Sequence, residues 1–149
     1  MLVSKYVNSG DIKILLEYQK YQQAPAQELY RLKPLFDAGL AKFDTGLQIK
    51  YLHAKFRVLD KPTFVIQTAN LTYSAFFKNR EYFFVGQDEQ IRESLRYIFE
   101  QDWQGKAIDP AKIHPQLMVC PLDCKKKLYN LLKQAQTQIW IVGQYIDDP

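Results

Sequence analysis

A run in the middle of the chain alternates so regularly that it admits one local reading. Leu52, Ala54, Phe56 and Val58 are apolar, and His53, Lys55 and Arg57 between them are polar or charged. A period of two marks an extended strand with one face for a core and the other for solvent or chemistry. Asp60-Lys61-Pro62-Thr63 follows as a turn cluster. Residues 64–70 then resume the alternation, with Phe64, Ile66, Thr68 and Asn70 on one face, so a hairpin is expected. Glu81, Phe83 and Val85 mark a third strand.

Helices are expected on either side of these strands. Residues 12–16 form a short apolar run that reads as an interior strand, and residues 27–36 place Leu29, Leu32 and Phe36 at helical spacing. Pro34 is expected to break that helix and Gly39 to end it, with another short strand over residues 40–43. The clearest helix covers residues 87–104, where Ile91, Leu95, Ile98, Phe99 and Trp103 form a stripe ahead of Gly105. Residues 106–122 carry three prolines and read as a linker or surface connection. A second amphipathic helix is expected over residues 125–136 and a strand over 139–142. Helices interleaved with strands of both kinds give an α/β class, a mixed β-sheet with flanking helices.

Three groups of residues carry chemistry: His53-Ala54-Lys55 with Asp60, then Asn70 within Gln67-Thr68-Ala69-Asn70, then Asn79-Arg80-Glu81. An H-x-K-x-x-x-x-D motif followed at set spacings by Asn and by N-x-E resembles the signature of the phospholipase D superfamily. The resemblance covers most of the chain, since Phe99-Glu100-Gln101-Asp102-Trp103 also looks like the end of such a domain. It implies a phospholipase D-like sandwich, a phosphohistidine intermediate and a structural role for Asp60.

Strand geometry explains why these residue types suit a phosphodiester. Residues two apart on a strand point the same way, so His53 and Lys55 can reach one phosphate. A neutral imidazole has a free ring nitrogen with which to attack phosphorus, provided the other nitrogen is held by a partner. His53 is the candidate nucleophile and Glu81 the candidate for that partner. Lys55 would neutralise a non-bridging oxygen, with Asn70 and Thr68 donating hydrogen bonds as charge builds. Arg57 reads as a solvated strand-face residue, and the aromatics of residues 73–84 read as core rather than as a platform for stacking bases. The family's usual Gly-Ser before the Asn is Gln67-Thr68 here, which keeps a hydroxyl but adds bulk; alternation is expected to turn Gln67 away.

The resemblance also implies a two-fold pair of motifs, in which the second histidine protonates the leaving group and then activates water or an acceptor alcohol. This chain holds two histidines, and His114 has no lysine two places later, so it supplies one half. The other half is expected from a homodimer or from a second repeat past Pro149. Residues 131–146 look like the opening of such a repeat, which divides the chain into the back of a first repeat carrying the motif (1–105), a linker (106–116) and the truncated start of a second (117–149). Residues 139–145 are further expected to fill a vacant first-strand place in their own sheet or a neighbour's.

Length and charge restrict the remaining possibilities. The 149 residues suit one modest core. A formal charge of +4 favours anionic partners, but the basic residues are dispersed. Cys120 and Cys124 have too few companions for a zinc site or a disulfide framework and read as structural or incidental. No cofactor or metal is expected, and no transmembrane segment is visible. The leading expectation is hydrolysis or transfer of phospholipid phosphodiesters, at a cytoplasmic or membrane-peripheral location. A homodimeric single-motif endonuclease acting on nucleic acid and a non-catalytic phosphate-binding remnant are the alternatives.

Overall fold

The structure, a computed structural model, describes residues 12–18, 26–44, 47 and 49–143. The chain divides into two compact units, Met1–His114 and Pro115–Pro149. In the first, β1 (Ile14–Leu16), α1 (Ala26–Asp37) and β2 (Ala41–Phe43) are followed by β3 (Phe56–Val58) and β4 (Phe64–Gln67). A short helix α2 (Tyr73–Phe77), β5 (Phe83–Gly86) and the long α3 (Glu89–Gln104) complete it. The strands form two small sheets among the described residues, a parallel β1-β2 pair and an antiparallel β3-β4-β5 sheet. The α/β class is as expected, with the parallel and antiparallel pairings in separate sheets.

Helix α1 runs through Pro34 instead of stopping there. The proline lies in the last turn, where its missing N–H removes a single intrahelical bond and the next turn has nothing left to lose. The helix closes at Gly39, whose φ of 69° is the left-handed conformation that glycine adopts without a Cβ penalty. The Leu40 and Gly39 amides then bond back to the Leu35 and Phe36 carbonyls.

Hairpin β3-β4 forms where the alternation and the Asp60 turn place it. Thr63 N–H donates to Asp60 O at 2.9 Å and Leu59 N–H to Thr63 O at 3.0 Å, closing the turn. Phe56 pairs with Ile66 and Val58 with Phe64; Phe64 in turn pairs with Gly86 on β5. Facing residues share a side of the sheet, so Phe56, Val58, Phe64 and Ile66 form one face and Arg57, Val65, Phe83 and Val85 the other. The first face supplies Phe64, 1% exposed, to a core shared with Leu95 and Ile98 of α3, which packs on β3. Burial on this scale contributes about 1.5–3 kcal/mol for such a side chain.

Gly86 lets that ring lie flat against the sheet. A Cβ at residue 86 would stand 2.1 Å from Phe64 Cζ, so any larger residue collides with the aromatic ring. Helix α3 ends where expected and starts two residues later, at Glu89: Asp88 accepts from the Gln90 and Ile91 amides at its start, and Gly105 ends it in the left-handed conformation. Arg92, on the buried side of α3, donates through Nε and Nη2 to the Leu59 carbonyl at 3.1 and 2.8 Å. That tie fastens the helix to the end of β3.

Three expectations change on contact with the structure. The segment read as a linker or surface connection is docked over its first part, since the Asp109 amide donates to Tyr97 Oη, the His114 amide donates to Ser94 Oγ, and Ile113 is buried. The aromatics of residues 73–84 are not core: Tyr73, Phe76, Phe77, Tyr82, Phe83 and Phe84 are all exposed, and the buried member of that stretch is Ala75. Cys120 and Cys124, too few for a disulfide framework, are nevertheless bonded to each other, with Cα atoms 5.1 Å apart.

The second unit holds α4 (Cys124–Lys133), with Lys127 bonded to Asp123 at 2.6 Å and to the Leu117 carbonyl at 2.9 Å. Its leucines are exposed. Residues 139–142 were expected as a strand, but they join no ladder among the described residues and Trp140 is 87% exposed. Apolar alternation makes a strand only where a partner offers its hydrogen bonds. Residues 144 and 145 of the segment expected to fill a first-strand place lie outside the described residues. No described helix is long and apolar enough to cross a membrane.

Candidate functional site

The candidate residues gather at the open end of the β3-β4-β5 sheet. The strand expected from residue 51 becomes a formal strand at Phe56, with His53 and Lys55 in the segment leading into it. One further ladder bond reaches back, from Gln67 N–H to Lys55 O at 2.9 Å. Beyond it β4 turns its hydrogen bonds toward the other neighbour, with Thr68 N–H donating to Tyr82 O at 3.1 Å. The sheet therefore releases the histidine end of the motif while keeping the Thr68 end.

Continuing the β3-β4 register by one step places Gln67 directly across from Lys55. The expectation that alternation turns Gln67 away is thus reversed, because cross-strand partners share a face. Gln67 is anchored there: its Oε1 accepts from Arg57 Nη1, and its Nε2 donates to Ala69 O at 2.6 Å. Arg57 is half-buried rather than solvated, and burial lowers its guanidinium below its usual range while leaving it a cation. Two cations, Lys55 and Arg57, therefore sit two residues apart on the face that continues toward His53.

Lys55 Nζ donates to the His53 backbone carbonyl at 2.7 Å. His53 is exposed, and among the described residues its imidazole has no hydrogen-bond partner. Asn70 is exposed as well, and its amide is likewise unbonded among the described residues.

Glu81 serves different partners from the one expected. Its Oε2 accepts the Thr68 hydroxyl at 2.5 Å, and its Oε1 accepts Asn79 Nδ2 at 3.3 Å. The Thr68 oxygen also accepts the Tyr82 amide at 3.0 Å. A hydroxyl has one proton, so Thr68 cannot also donate to a phosphate unless it releases Glu81. Asp60 lies in the hairpin turn and contributes its carbonyl to the Thr63 amide, consistent with a position outside the reacting groups.

The structure thus brings together His53 with Lys55, and Thr68 with Asn79 and Glu81, as two neighbouring sets on adjacent strands. No described hydrogen bond links them. Sequence reading missed the Arg57-Gln67-Ala69 chain, although the parity of Lys55 and Gln67 about the turn could have revealed it. Among the described residues no group of three or more His, Cys, Asp or Glu side chains could hold a metal ion.

The family model described as cardiolipin synthase, PLD-like domain, matches residues 2–103, which include every residue of both sets. No curated protein and no solved structure matches the chain.

Proposed function

Because the chain belongs to the cardiolipin synthase, phospholipase D-like family, we propose that it supplies one half-site of a phosphodiesterase or phosphatidyltransferase acting on phospholipids. The reading rests on one observation above all: His53 is exposed, its ring has no hydrogen-bond partner among the described residues, and the Lys55 ammonium donates to the His53 backbone carbonyl at 2.7 Å. That proximity supports reading His53 as the nucleophile and Lys55 as the cation that neutralises the phosphate.

In this scheme a ring nitrogen of His53 attacks phosphorus. The P–N bond forms as the bond to the leaving oxygen breaks, and a second histidine, from outside this motif, gives that oxygen its proton. Lys55 and Asn70 carry the charge that grows on the non-bridging oxygens. Water or an acceptor alcohol, deprotonated by the second histidine, then attacks phosphorus and returns His53 to its free state. Glu81 acts on this scheme through Thr68, holding the hydroxyl until substrate competes for it.

The second histidine comes from another copy of the chain or from a further repeat. The test compares the chain alone with a version extended through a second H-x-K motif, on phosphatidylcholine, on cardiolipin precursors and on single-stranded DNA. Turnover of lipid by the complete site, with His53→Asn abolishing both turnover and acid-labile phosphate on the protein, is the expected result. Cleavage of DNA by a dimer of this chain would replace the lipid reading with a nuclease. Retained turnover in His53→Asn would remove His53 from the chemistry.

A further inference from the structure

The bridge between Cys120 and Cys124 stands at the start of α4, within the second unit. A disulfide stabilises chiefly by closing a long loop in the unfolded chain, and this one spans a sequence separation of 4. The turn it crosses is also held by other bonds. The Asp123 amide donates to the Val119 carbonyl at 3.0 Å, and the Val119 amide donates to Asp123 Oδ1 at 3.0 Å. Lys127 reaches from α4 to the Leu117 carbonyl at 2.9 Å. Opening the bridge therefore leaves the turn fastened, so the two redox states can share one fold.

The two sulfurs stand in different surroundings. Cys120 is exposed, whereas Cys124 is half-buried and is the first residue of α4. Asp123, just ahead of the helix, makes no side-chain bond to the first-turn amides. Those amides, at the positive end of the helix, are left to stabilise a thiolate on Cys124. Lys125, Lys126 and Lys127 follow directly and add positive charge. Cys120 is thus the sulfur open to attack and Cys124 the better leaving group.

An open cleft of about 480 Å3 adjoins the bridge. Its walls are the residues between the cysteines, Pro121, Leu122 and Asp123, with Lys125, Lys126 and Tyr129 of α4. That volume suits a small molecule. Asp123 is paired with Lys127 at 2.6 Å, while Lys125 and Lys126 form no ion pair among the described residues. Residues 115–143 carry four lysines against this one acid. Such a field draws in an anionic thiol and opposes a cationic one.

We propose that Cys120 and Cys124 form a thiol–disulfide exchange site whose reductant is a small anionic thiol seated against Lys125 and Lys126. The incoming thiolate attacks Cys120 Sγ. A mixed disulfide forms as the Cys120–Cys124 bond breaks, and the electron pair leaves on Cys124 Sγ as a thiolate. A second small thiolate then attacks the mixed disulfide at the small thiol's sulfur, releasing a small disulfide and a thiolate on Cys120. Two thiols are oxidised, the bridge is reduced, and the reverse sequence remakes it.

The test follows reduction of the full chain by glutathione, which is anionic, and by cysteamine, which is cationic, with rates compared per thiolate. Thiol counting before reduction should find the bridge formed. Glutathione should act at least about fivefold faster, with the ratio falling toward one at high salt and in Lys125→Gln/Lys126→Gln. Acid quenching, alkylation and peptide mapping should place glutathione on Cys120 and the alkyl group on Cys124. Circular dichroism should show the reduced chain and the variant folded; should the variant unfold, the salt dependence decides. Free thiols in the untreated chain, reduction that requires denaturant, equal rates for the two thiols, or glutathione on Cys124 overturns the proposal. So does reduction by a dithiol protein of the thioredoxin type where glutathione fails.

Discussion

Gln67 stands directly across the ladder from Lys55, its amide donating to the Lys55 carbonyl at 2.9 Å. Its side chain is stretched between Arg57 and the Ala69 carbonyl. The residue that replaces the family's usual glycine is therefore a strut on the face where the phosphate is expected, and it occupies one of the two cations there.

Replacing that strut with the family's residue tests its cost. Gln67→Gly should release the Arg57 guanidinium and open the space opposite Lys55. One charge-assisted hydrogen bond regained by a bound anion, about 1.5 kcal/mol, corresponds to about tenfold tighter binding. The same change lowers stability by about 1 kcal/mol, since glycine weakens a strand interior. Titration with inorganic phosphate, followed by the His53 ring resonances, and thermal unfolding measure the two effects. Unchanged phosphate affinity in a folded Gln67→Gly protein would mean that Arg57 does not reach the anion.

The contact between Phe64 and Gly86 gives a second prediction. A Cβ at residue 86 would fall 2.1 Å from Phe64 Cζ, inside any tolerable separation, and the ring is fully enclosed. Gly86→Ala should cost about 1–3 kcal/mol, the range for overpacking a core. In Phe64→Leu the obstructing ring is gone, so adding Gly86→Ala should cost markedly less than it does alone. Urea unfolding midpoints of the four proteins in this cycle check it. Additive losses would show that the two residues do not compete for the same space.

What the sequence disclosed follows a physical line between local and non-local causes. Helix α3 was legible end to end because its stripe, the Asp88 cap and the Gly105 terminus are encoded within the helix and its flanks. The hairpin was legible for the same reason, since the Asp60 turn and the alternation on either side of it are neighbours in sequence. The start of β3 at Phe56 instead of residue 51 was not, because a strand ends where its partner turns away, and Thr68 turns toward Tyr82. The same register decides that Glu81 meets Thr68. At the site, the residue types were legible as a motif and their bonds were not. The aromatics of residues 73–84 show the limit most plainly: hydropathy marks Phe76 and Phe77 as suited to burial, but only the path of α2 leaves them outside.

A third prediction concerns Arg92, whose Nε and Nη2 both donate to the Leu59 carbonyl at the entry to the Asp60 turn. Its side chain is 10% exposed, and its Nη1 also ion-pairs with Glu93. Arg92→Met keeps the apolar stem and removes both donors to Leu59 together with the Glu93 pair, at a cost of about 1–1.5 kcal/mol. Arg92→Lys, with one point of donation in place of a fork, should recover only part of the loss. Denaturant midpoints, with slopes unchanged, would show a loss of stability without a change in compactness. Wild-type stability in Arg92→Met would exclude the tie as a structural support.

Asp102 provides a prediction in pH. Burial, with a smaller contribution from the Asp44 charge, pushes its carboxyl up from 3.8 to about 6. The folded state therefore holds this proton more tightly than the unfolded chain does. Its stabilising contribution is complete below the unfolded value, near 3.8, and is lost as pH rises through about 6. Partial exposure screens the penalty, so at neutral pH the ionised carboxylate should cost about 1–2 kcal/mol, well below the undiscounted figure. Asp102→Asn keeps the shape and removes the charge. The variant should be more stable than the wild type at about pH 7, with the gap closing toward about pH 4. Other carboxylates titrate in both proteins and cancel from the difference. Paired urea unfolding curves across this range measure it, and a gap that stays constant with pH would mean that Asp102 is not held protonated by its surroundings.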